Sequence, residues 1–146
     1  MADQFQMTGH EDPDDALVER LRIAGLRPTR QRLALAEILF GQGDRHVTAE
    51  SLREEVVDAG HSMALATIYN TLHQFTRAGL LRELAVEGTK SYFDTNLSNH
   101  SHFLHEETGE VVDVPGNSIE IAGLPKPPDG TEITHVDVIV RVRTRR

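Results

Sequence analysis

The chain has 146 residues, a formal net charge of −8, no cysteine and no tryptophan. Without cysteine there is no disulfide, no thiolate zinc site and no thiol nucleophile, so any metal must be held by His, Asp, Glu or backbone oxygen. No stretch approaches the roughly 20 apolar residues of a membrane helix, and the first twenty residues lack the layout of a signal peptide, so one ordinary domain or two small ones in the cytoplasm are expected.

The charge is uneven. Residues 1–19 hold six acids and no base, and residues 1–13 read as a flexible acidic tail. Residues 20–82 carry nine Lys/Arg against six Asp/Glu, and residues 83–146 carry six against eleven. A basic middle can present a nucleic-acid surface on an acidic protein.

Taken in chain order, the first half reads as helices. Asp12-Pro13 supplies an N-cap acid and a proline suited to the first helical position, Leu17 and Leu21 stack four apart, and Gly25 ends the run. A second helix opens at Thr29 and carries Leu33, Leu35, Ala36, Ile38 and Leu39 until "GQGD" breaks it. The third follows Thr48, a good N-cap, with Leu52 and Val56 on one face and Gly60 as its stop. A fourth is expected from about Ser62, where Leu65, Ile68, Leu72 and Phe75 form one apolar stripe closed by Gly79. Its other face holds Ala66, Thr67, Asn70, His73, Gln74 and Arg77, with Tyr69 at the edge. Such a pair of helices suits either major-groove readout or plain packing in a bundle, and pattern alone leaves both open.

"LLRELAV" and "KSYFDT" flank Glu87-Gly88-Thr89 and predict a hairpin, the wing of a winged helix. Residues 95–99 are polar and read as a hinge. Beyond it "HFLHE", "EVVDV" and "EITHVDVIVRVR" read as strands, while Pro125, Pro127 and Pro128 prevent a long helix in the stretch between the last two. Within "SNHSHFLHEETGEVVDV", residues 98–114, His100 and His102 fall on one face of an extended strand and make a clamp. His105 would face away, and Glu106, Glu107 and Glu110 read as a solvated turn.

The segments "AGLRPTRQRLALAEIL", "HVTAESL", "LATIYNTLHQFTRAGLL" and "KSYFDTN…HSH…GEVVDV", in this order and spacing, resemble the ferric-uptake-regulator (Fur) family of bacterial metal-dependent repressors. The resemblance implies an α+β fold: a winged helix-turn-helix over residues 1–94, a hinge at 95–99 and an α/β dimerisation domain over 100–146. It implies a homodimer on a palindromic double-stranded DNA operator, with no membrane and no catalysis. By the same likeness Tyr69 matches a tyrosine that touches bases, and Arg27 a basic residue reaching toward the minor groove. Arg30 and Arg32, with Thr67, Asn70 and His73 on the fourth helix, complete the candidate DNA contacts.

The family's regulatory metal positions fall on His46, Asp94, His100, His102 and Asp113. Three imidazoles and two carboxylates suit Fe²⁺ or Mn²⁺, with Zn²⁺ as a tight competitor. The family's structural zinc is held by paired cysteines whose first positions here are His105 and Thr108, so no such zinc is expected. A further family site has lost two ligands to Asn99 and Ser101 and keeps Glu120 and His135 as a second or vestigial site.

The wording "RPTRQR", "ATIYNTLHQFTRAGLLREL" and "SYFDTN", with no cysteine, is most similar to the iron-response-regulator (Irr) branch, which implies control of iron and haem genes and a response to haem. Candidate haem ligands are His100, His102 and His105. The peroxide-sensing PerR branch is the rival, kept open by Asp rather than Glu at position 113. A metal-dependent hydrolase would also use a His-x-His clamp, but it needs an open coordination position, a base and a cleft.

Overall fold

The computed structural model describes residues 13–85, 91–98, 100–115 and 118–146. The acidic residues 1–12, the expected hairpin turn at Glu87-Gly88-Thr89 and Asn99 of the expected hinge lie outside these. The chain divides into two compact units, residues 1–97 and 98–146.

Every helix among the described residues lies in the first unit: α1 (Pro13–Ile23), α2 (Arg30–Phe40), α3 (Ala49–Asp58) and α4 (Leu65–Arg77). Local chemistry sets most of their ends. Thr29 caps α2, its hydroxyl accepting from the Arg32 N–H at 3.3 Å. Thr48 and Ser51 close a reciprocal capping box at the start of α3, each side chain accepting from the other's backbone N–H at 3.0 Å. At the end of α3, Gly60 takes φ +86°, which lets the His61 N–H reach back to the Val56 carbonyl at 3.0 Å.

The fourth helix begins three residues later than its sequence suggests. That backward turn commits residues 61–64 to non-helical chain, and Ala64 stands at the N-cap with no side-chain hydrogen bond. Ile68, Leu72 and Phe75 are fully buried against Leu35, Leu39, Leu52 and Val56, so the apolar stripe of α4 is the core of this unit. The Arg20 guanidinium lies 4.0 Å over the Phe40 ring and ties α1 to α2.

A three-stranded sheet completes the winged helix, in the order β1 (His46–Val47), β3 (Ser91–Asp94), β2 (Arg82–Ala85), both pairings antiparallel. The two-residue β1 has no sequence signal of its own.

The second unit is a sheet in the order β5 (Val111–Asp113), β4 (His102–His105), β6 (Ile139–Val142), with β4 antiparallel to β5 and parallel to β6. The expected long last strand is shortened to four residues, the length of the β4 it pairs with, and Ile133 and Val136 stay exposed. No helix among the described residues is long and apolar enough to cross a membrane.

Candidate metal centre and nucleic-acid face

Sheet register brings the candidate ligands together in two sets, one in each unit. In the first unit His46 on β1 pairs directly with Asp94 on β3. Such cross-strand neighbours face each other at roughly 5 Å between Cβ atoms. His46 Nε2 lies 3.2 Å from Asp94 Oδ2, and the Asp94 side chain is essentially fully buried. A buried carboxylate is costly unless it is paired. Here it also accepts the Asn96 N–H at 2.8 Å. The backbone around the pair is fastened by Thr95, whose N–H donates to the Arg45 carbonyl at 3.0 Å and whose hydroxyl accepts the Arg45 N–H at 2.9 Å. The Arg45 guanidinium in turn grips the Glu55 carboxylate of α3 at 2.6 and 2.8 Å.

In the second unit His102 on β4 pairs with Asp113 on β5. Asp113 Oδ1 lies 3.2 Å from His100 Nε2 and 3.4 Å from His102 Nε2, and the two imidazole centroids are 4.4 Å apart. One donor atom from each of the three lies within 4.8 Å of the others. His100 is aimed by its own backbone, with Nδ1 2.6 Å from the Ser98 carbonyl, which leaves Nε2 toward Asp113.

Both sets fit a divalent cation. Two donors each about 2.1 Å from one ion, at tetrahedral or octahedral angles, stand roughly 3.0–3.5 Å apart. The three imidazole–carboxylate distances fall in that range. The donors are nitrogen and carboxylate oxygen, the chemistry of Fe²⁺, Mn²⁺ and Zn²⁺.

The other candidates are placed differently. His105, three residues after His102 on β4, takes the opposite face and lies 3.2 Å from the Thr144 hydroxyl. Glu120 and His135 are exposed and join no cluster of three or more such ligands among the described residues, and His135 Nε2 faces Asp137 at 3.5 Å.

On the helical face, Arg27, Arg30 and Asn70 are exposed. Arg32 is partly buried and spans from α2 to α4, its Nε and Nη2 donating to Gln74 Oε1 at 3.3 and 3.0 Å and its Nη1 to the Arg27 carbonyl at 2.9 Å. Thr67 is half-buried, its carbonyl accepting the Thr71 hydroxyl at 2.9 Å. The Tyr69 hydroxyl donates to Glu50 Oε1 of α3 at 3.0 Å. That hydrogen bond, then burial and the negative charge of Glu50, hold the Tyr69 phenol above its ordinary pKa. His73 stacks beside Tyr69 and meets the edge of Phe93 on β3, with ring centroids at 6.4 and 5.6 Å. Neither Glu50 nor Arg45 stands out in the sequence, because each acts through a partner on another element.

Three comparisons place this architecture among known proteins. The profile described as the ferric uptake regulator family matches residues 23–140. The ferric uptake regulation protein of Shigella flexneri is 39% identical over 101 residues, 68% of each chain. Of solved structures, the Vibrio cholerae ferric uptake regulator, described with rearranged DNA-binding domains, superposes with a TM-score of 0.71 at 29% identity, covering 87% of this chain and 98% of that one. The Pseudomonas aeruginosa regulator, solved with manganese, gives 0.69 at 28% identity, covering 89% and 98%.

Proposed function

The chain belongs to the ferric uptake regulator family, and we propose that it is a cytoplasmic, homodimeric repressor that binds a palindromic DNA operator and answers to a divalent metal and to haem in the manner of the Irr branch. The observation that carries the metal reading is the pairing of imidazole with carboxylate in both sheets, His46 with Asp94 and His100 and His102 with Asp113. A divalent cation, when bound, would supply a positive centre to the His46 and Asp94 set and to the His100, His102 and Asp113 set. In this reading metal occupancy is linked to the arrangement of the winged helices. Such a link shifts a conformational equilibrium only by its differential affinity for the two arrangements. The favoured arrangement is the one in which both α4 helices of a dimer reach half-sites about one helical turn apart.

The exposure of Arg27, Arg30 and Asn70 supports them as DNA contacts, and Tyr69 offers a hydroxyl on the same helix as Asn70. Arg32 supports that face by fixing α2 to α4. Dimerisation through the second unit is supported by its small core and by Val112, Ile121, Leu124 and Ile133, which are about half exposed on a single copy. His100 and His102 are the candidates for haem ligation, while His105 stands apart on the other face of β4. Asp rather than Glu at position 113, beside the two imidazoles, keeps as second reading a PerR-like repressor in which peroxide oxidises a ligand histidine.

One assay separates these. Operator binding is measured with metal-stripped protein, then with Fe²⁺, Mn²⁺, Zn²⁺ and haem added in turn, and with peroxide under Fe²⁺ loading. The expected outcome is metal-dependent binding weakened by haem. Release by peroxide with oxygen gained at a ligand histidine, and no response to haem, would select the PerR-like reading. Indifference to every addition would remove the sensor mechanism.

A further inference from the structure

Charge in the second unit is segregated along the chain. Residues 98–138 hold eight acids and one lysine, whereas residues 139–146 hold four arginines and no acid. All four, Arg141, Arg143, Arg145 and Arg146, are exposed. Arg141 lies within β6 and is engaged inside the protein. Arg143, Arg145 and Arg146 lie beyond Val142, the last residue paired with β4, and among the described residues no side-chain hydrogen bond or ion pair holds them. The backbone that carries them is fastened on both sides of Arg143. The Glu106 N–H donates to the Val142 carbonyl at 2.9 Å, and the Thr144 hydroxyl lies 3.2 Å from His105 Nε2. Arg143, Arg145 and Arg146 line an open cleft together with Thr144, Glu106 and Glu107.

Protection of a sheet edge does not account for them. Guarding charge belongs on the strand itself, and three of the four stand past it. Solubility does not require them either, because the chain already carries a net −8. Four arginines without a lysine suit planar, two-point pairing with phosphate oxygens.

We propose that Arg143, Arg145 and Arg146 form a second nucleic-acid contact, taking backbone phosphates of double-stranded DNA beyond the stretch read by the winged helices. It rests on the reading of the chain as an operator-binding protein. Glu106 and Glu107 repel phosphate at the same cleft, so the contact is weak by itself and adds affinity only when the winged helices are already seated. It carries no base information, because phosphate contacts position without specifying.

The test uses a duplex that the full-length protein selects from a random library, trimmed to about 20 base pairs or extended with arbitrary flanks to about 60. Affinity is followed against potassium chloride for the wild type, for the triple variant Arg143→Ala/Arg145→Ala/Arg146→Ala, and for the corresponding triple lysine variant. Each neutralised phosphate adds about 0.9 to the slope of log K on log salt. On the long duplex the alanine variant should lose about 2 or more from that slope, while the lysine variant keeps it. On the short duplex all three proteins should agree, and discrimination against scrambled DNA should be unchanged. Equal slopes for wild type and alanine variant on the long duplex would overturn the proposal and leave the arginines to an acidic protein surface. If the wild type selects no sequence at all, the operator-binding reading fails, and the slope comparison on any long duplex still decides the phosphate contact.

Discussion

At the scale of single residues, the two aspartates of the candidate centre are not equivalent. Asp113 has a partly exposed side chain, whereas that of Asp94 is buried and accepts the Asn96 N–H. Asp113→Asn should therefore disturb the packing less than a change at Asp94 and act chiefly on metal affinity. Loss of a residue that only orients a ligand costs roughly 10–100-fold in affinity, so loss of a ligand is expected to cost more than about 100-fold. Competition against a chromophoric chelator measures it, and an unchanged affinity would remove Asp113 from the centre. Tyr69 offers a second test. Its phenol is held above the ordinary value chiefly by the hydrogen bond to Glu50. A raised phenol pKa means the hydroxyl stays protonated, and so remains a donor, further into alkaline pH. Glu50→Gln removes the charge and weakens the acceptor, so the Tyr69 transition should move down toward 10. The chain has two tyrosines and no tryptophan, so tyrosinate absorbance with Tyr69→Phe as control isolates the shift. A transition that does not move would show that Glu50 does not hold the hydroxyl in solution.

At the scale of elements, the ends of α2 and α3 were readable because capping is local: Thr29 and Thr48 bond within three residues of themselves. The start of α4 was not, because Ala64 is no cap and the preceding residues are committed by the turn after α3. Strand β1 is too short to show periodicity, and the alternation from Ile133 promised more strand than the four-residue β4 can pair. The site divides the same way. Resemblance to the family named the five ligands and the clamp spacing put His100 beside His102, but which imidazole faces which carboxylate depends on pairing between strands far apart in sequence. One consequence is measurable. Thr48 caps α3 immediately after His46 and Val47, so Thr48→Ala should cost about 1 kcal/mol of stability. Thermal or urea unfolding reads this directly. A neutral result would mean that the capping box does not stabilise the start of α3.

For the whole molecule, the second unit poses a stability problem that a second copy would solve. It spans residues 98–146 and, among its described residues, buries only Leu104 and Val114 as apolar side chains, with His102 beside them. A core this small rarely supplies more than a few kcal/mol, and units of such size commonly add a metal, a disulfide or association. Cysteine is absent, which leaves the metal and association. Ile121 and Leu124 are 48% and 51% exposed, and covering a half-exposed aliphatic side chain is worth about 1 kcal/mol. A charge at such a position loses that burial and adds a desolvation cost, so Ile121→Asp or Leu124→Asp should raise the dimer dissociation constant by at least about tenfold. Sedimentation equilibrium measures the constant, and operator binding should weaken in step, because a palindrome needs two winged helices held as one. Intact dimers in both variants would place the interface elsewhere on the second unit. Intact dimers that lose the operator would instead make this face part of the linkage between metal and DNA.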